Sequence, residues 1–118
     1  MLVAPALLCF EVANGLQRMV FESRTGGQWR VTPEAAAAAQ AKFSEHLGDG
    51  VFLKRTPLAL EDIETEFNTL VARHTARSGF RTYDIMHVAA ARTLRCKRFL
   101  SFGERAKRLA KFEGLVVD

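Results

Sequence analysis

Short apolar runs set between longer stretches of helical periodicity constrain this chain more than any other feature. Met1 to Ala4, Val51 to Arg55, Arg98 to Ser101 and Leu115 to Val117 each read as a strand. Between them the period is helical. Pro5, whose missing N–H is not needed in a first turn, opens a helix to about Glu22, with Leu8, Val12, Leu16, Met19 and Val20 at three- and four-residue steps. Ser23 to Arg30 is a loop. Thr32 caps, Pro33 opens and Glu34 complements the dipole of an Ala-rich helix that stops at Gly48. Pro57 ends the second strand. Leu60 to about Ser78 is a third helix, with Leu60, Ile63, Phe67, Leu70 and Val71 on one face and Gly79 as a left-handed stop. Thr82 caps a fourth from Tyr83 to about Arg95, and Glu104 to Phe112 is a fifth, ended by Gly114. Strands separated by helices pair in parallel through right-handed crossovers. The expected class is α/β, a three-layer α/β/α sandwich around a parallel sheet, in a single domain over 1–118.

In such sheets ligands bind beyond the carboxyl ends of the strands, where each following helix begins. Three carboxylates satisfy that rule. Glu11 lies on the second turn of the first helix, Asp84 opens the fourth, and Glu104 follows the strand ending at Ser101. Together they make an oxygen-rich site for a hard divalent cation such as Mg²⁺, which can generate a hydroxide nucleophile and neutralise a phosphodiester. The alternative is that each merely complements a helix dipole.

Charge permits a polyanionic partner. Lys+Arg 17 against Asp+Glu 13 gives +4 over 118 residues. Between Arg81 and Lys111 nine basic residues face only Asp84 and Glu104, whereas Glu61, Asp62, Glu64 and Glu66 form an acidic segment. That asymmetry suits a C-terminal third that meets phosphates, or a solvated helix face. Arg81, just before the Asp84 turn, is the basic residue chosen for phosphate contact, with a surface or Asp-paired role as the alternative. Cys9 and Cys96 lack CxxC spacing and are too few for a disulfide scaffold, so reduced, inert thiols in a cytoplasmic setting are expected. No run approaches the roughly 20 apolar residues of a membrane span, and no targeting signal is read at the start.

Other residues have plainer readings. His87, three after Asp84, has a spacing that serves a metal, but its apolar neighbours favour a packed helix histidine. His46 and His74 sit near helix ends, where terminal carbonyls are the expected partners. Trp29 either stacks on a base or covers the core. Phe80, Tyr83, Phe99, Phe102 and Phe112 are expected between helix and sheet.

The run Val3-Ala-Pro-Ala-Leu-Leu-Cys-Phe-Glu11-Val-Ala-Asn14-Gly-Leu resembles the second motif of PIN domains. Arg81-Thr-Tyr-Asp84-Ile-Met-His87-Val-Ala-Ala-Ala resembles their third motif, and Phe99-Leu-Ser-Phe-Gly103-Glu-Arg105 with Leu109-Ala and Gly114-Leu the closing one. The resemblance implies a Mg²⁺- or Mn²⁺-dependent endoribonuclease, often the VapC-type toxin of a toxin–antitoxin pair, with RNA and an antitoxin protein as partners. It assigns Glu11 and Asp84 as catalytic metal-site carboxylates, with Glu104 as a further candidate ligand. Asn14 and Ser101 become supporting residues; Arg81, by its place before the Asp84 turn, and Arg105 are the expected contacts to RNA. The chain departs from the pattern twice. The family's first strand and its Asp are not found, so the domain is expected to be N-terminally truncated, and Gly103 stands where a carboxylate belongs. Loss of a central strand exposes backbone edges, so either homo-oligomerisation or closure of the gap by the remaining strands is expected. A catalytically degenerate module that binds RNA or an antitoxin is the alternative function.

Overall fold

The computed structural model describes residues 2–27, 30–101 and 103–118. The chain divides into two compact units, Met1–Pro57 and Leu58–Asp118. The N-terminal unit runs β1 (Leu2–Ala4), α1 (Ala6–Arg24), α2 (Pro33–Asp49) and β2 (Leu53–Arg55). β1 and β2 pair in parallel, with Leu2 opposite Leu53 and Ala4 opposite Arg55. The Thr32 hydroxyl accepts the Ala35 N–H at 3.1 Å to cap α2, and Pro33 follows at the first helical position, as the sequence predicts. The helix passes Gly48, however, and ends at Gly50, whose φ of 68° is the left-handed cap geometry.

The C-terminal unit begins with α3 (Leu60–Leu70), which continues through a π-helical segment (Val71–Thr75) into a last turn, α4 (Ala76–Ser78). Gly79 then stops it at φ 67°. α5 (Thr82–Thr93), β3 (Arg98–Phe99), α6 (Glu104–Phe112) and β4 (Val116–Val117) follow, with β3 and β4 parallel. α5 packs against both α3 and α6. The core of this unit joins Ile63 and Leu70 with Phe80, Ile85, Val88, Phe99 and Leu109 and the small residues Ala89, Ala90, Ala106 and Ala110. Small side chains let the helices approach closely, while Leu70, Ile85, Val88 and Leu109 fill the volume.

The expected three-layer sandwich is not formed. The chain is mostly helical, and its strands make two separate two-stranded parallel sheets rather than one central sheet with helices on both faces. The strands do not close into a single sheet either. With two or three residues each, they carry too few ladder bonds to recruit a third strand among the described residues. Two of the aromatics expected between helix and sheet are also elsewhere: Phe80 and Phe99 are buried, but Tyr83 and Phe112 are exposed. Trp29 and Phe102 lie outside the described residues. Among those described, no helix is long and apolar enough to cross a membrane.

Candidate functional site

In the C-terminal unit the first turns of two helices open onto one cleft of about 300 Å³, lined by Arg81, Asp84, Gly103, Glu104 and Arg105. Each wall has a local cause. On the α5 side, Asp84 Oδ2 accepts the Arg81 backbone N–H at 3.2 Å, satisfying a donor that precedes the helix. The N-cap is therefore Arg81, and Thr82, expected as the cap, is the first helical residue. Ile85, Val88 and Ala89 anchor this helix in the core. On the α6 side, the Ser101 hydroxyl accepts the Gly103 N–H at 3.0 Å and turns the chain out of β3 into the helix. Buried Ala106, Leu109 and Ala110 fix α6 in place. Ser101 thus shapes the backbone that lines the cleft.

The cleft has mixed electrostatics. Both helix N-termini present partial positive charge there, and Arg81 and Arg105 are exposed with no ion pair among the described residues. Asp84 is half-buried and uses one oxygen on its cap. Glu104 is 88% exposed at its side chain and lies 3.7 Å from Lys107 Nζ. Gly103 caps α6 without a side chain. Its φ of −80° suits any L-residue, and a Cβ there would meet Ser101 Oγ at 3.4 Å, an ordinary contact. The backbone does not require glycine at this position.

The structure therefore gathers four of the expected site residues, Arg81, Asp84, Glu104 and Arg105, and places Ser101 beneath them. Glu11 and Asn14 stand on α1 in the N-terminal unit, both exposed and one helical turn apart. Among the described residues, no group of three or more His, Cys, Asp or Glu gathers in a metal-binding arrangement. His87 is half-buried on α5.

A second polar constellation had no signal in the sequence. The Glu113 carboxylate, only 3% exposed, sits among Arg73 at 2.7 Å, the ring Nε2 of His74 and Arg92 at 3.2 Å; Arg92 Nε also bonds Glu66 at 2.9 Å. Burial pushes this carboxyl upward, but hydrogen bonds with His74 and Arg73, together with attraction from Arg73 and Arg92, outweigh it and hold it below the ordinary value. His74 accordingly pairs with Glu113 rather than with helix-end carbonyls, and it stacks on Phe112 at 5.6 Å. Its partners lie about forty residues away, so no local motif announces them. His46 packs edge-on against Phe52 at 5.2 Å. Cys9 and Cys96 are free and half-buried, and burial pushes the Cys96 thiol up, away from reactive thiolate.

No family model, curated protein or solved structure matches this chain.

Proposed function

We propose that the chain is a PIN-like, metal-dependent endoribonuclease acting at the cleft between the starts of α5 and α6, in the toxin role that the resemblance implies. The observation that carries this reading is the convergence of Arg81, Asp84, Glu104 and Arg105 on two helix N-termini. A phosphodiester suits such a place. Arg81 and Arg105 supply charge-assisted donors, and the first-turn N–H groups of α6, left without a capping side chain by Gly103, supply more.

The donor set also fits a weakly held, hydrated Mg²⁺ or Mn²⁺. Asp84 keeps an oxygen beyond the one used on Arg81, and the exposed Glu104 carboxylate can be drawn from Lys107; one or two carboxylates suffice for an ion that retains its waters. Such an ion would neutralise phosphate charge and lower the pKa of its water. The resemblance alone gives Glu11 a metal-site role, with Asn14 one helical turn further along α1.

A second reading is an RNA-binding or antitoxin-binding module that no longer cleaves. Gly103 favours it, because the position that could carry a third carboxylate has no side chain.

Cleavage of single-stranded RNA by the full chain, with and without Mg²⁺, tests the two readings against Glu11→Gln and Asp84→Asn. Under the nuclease reading Mg²⁺ supports cleavage, and each substitution lowers its rate on the order of a hundredfold. Cleavage that survives both substitutions eliminates this site. RNA binding without cleavage in either metal selects the second reading.

A further inference from the structure

The C-terminal unit separates its charge onto two helices that flank α5. α3 carries Glu61, Asp62, Glu64 and Glu66 and no cation, whereas α6 carries Arg105, Lys107, Arg108 and Lys111 against Glu104 alone. α5 packs against both helices, and they make no comparable contact with each other, so one copy of the unit leaves much of this charge unneutralised. Asp62 is used on the Ala59 N–H at 2.9 Å and Glu66 on Arg92. Glu61 and Glu64 form no ion pair among the described residues; neither does Lys111, and Arg108 only lies over the Phe112 ring at 5.4 Å.

The two unused pairs border apolar surface. Glu61 and Glu64 rim an open groove of about 300 Å³ between α3 and the start of α5, floored by Ile63, Phe67 and Met86 and edged by exposed Leu60. Arg108 and Lys111 border Phe112, which leaves half its surface open at the end of α6 away from the RNA cleft. The spacing also matches. Each charge pair is three residues apart, about 4.5 Å along a helix axis, so two ion pairs can form in register while Phe112 meets the groove.

We propose that the α3–α5 groove is a docking site for a second copy of this chain, which inserts Phe112 from its α6 and sets Arg108 and Lys111 against Glu61 and Glu64. Exchange of α6 in both directions gives a closed dimer, and one-way docking gives an open chain of copies.

A charge-swap experiment tests it by sedimentation equilibrium of the full chain at low and high salt. The acidic-side variant is Glu61→Lys with Glu64→Lys, and the basic-side variant is Arg108→Glu with Lys111→Glu. All four positions are on helix surfaces, and circular dichroism melts check that each variant folds. The wild type should self-associate, more weakly at high salt. Each variant alone should be monomeric, because its two surfaces then carry like charge. An equimolar mixture restores opposite charge at both contacts and should associate at least about tenfold more tightly than either variant by itself. A monomeric wild type, self-association untouched by either swap, or a mixture no tighter than its components would overturn the proposal.

Discussion

The two units are built from the same parts, helices and one parallel strand pair, yet they are held together differently. In the N-terminal unit the nineteen-residue α1 buries Val20 and the seventeen-residue α2 buries Ala36. In the C-terminal unit the nine-residue α6 alone buries Ala106, Leu109 and Ala110. Pattern explains the contrast. α1 spreads its apolar residues around the cylinder, and exposed Phe10 and Phe21 show the result, while α2 offers mostly methyl groups. α3 and α6 concentrate theirs on one face and keep charge on the other. The first unit rests more on helix propensity and the α2 cap, the second on packing and an ion cluster around the buried Glu113 carboxylate.

Mutations can break this comparison, and the largest effect belongs to the core. Leu109→Ala, at a fully buried position, should cost about 2–5 kcal/mol in chemical denaturation, against about 1–2 kcal/mol for Val20→Ala. Equal losses would show that the N-terminal unit is packed as tightly as its partner. Glu113→Ala comes next, at about 3 kcal/mol, because it leaves Arg92 and His74 beside an empty site.

That carboxylate also sets a pH dependence. Its folded value lies below its ordinary 4.5, so it stabilises the C-terminal unit above that pH, and the contribution is lost as acid takes the pH down through the folded value. Acid titration of unfolding should therefore show a loss in the wild type that Glu113→Gln lacks.

Smaller effects sharpen the view of caps. Thr32→Ala removes the bond to the Ala35 N–H and should cost about 1 kcal/mol, a large share of what secures α2. Gly103→Asp should instead stabilise α6 by a few tenths of a kcal/mol by supplying an N-cap acceptor, and under the nuclease reading it should also tighten Mg²⁺ binding in calorimetry. A destabilised Gly103→Asp would mean that the cleft does not accept a side chain there.

These contrasts also explain what the sequence reveals. Helix ends are local events, so Thr32, Pro33, Gly79 and Gly114 announce themselves; Gly48 misleads because Gly50, two residues on, takes the left-handed turn. The cleft is legible for the same reason, since its walls are two helix starts, and its residues follow from where Thr82 and Glu104 begin. Sheet assembly is not local. Alternation of strand and helix implies one parallel sheet, but strands this short pair only once. The Glu113 cluster is equally hidden, because Arg73, His74 and Arg92 reach it only after α5 and α6 have packed.

The cleft remains the centre of the functional account, and RNA titration read at individual backbone amides tests it most directly. Single-stranded RNA added to the full chain in Mg²⁺, with Asp84→Asn to hold any cleavage down, should shift the amides of residues 81–84 and 103–105 first and most. Shifts confined to other segments, with those two helix starts unmoved, would contradict it.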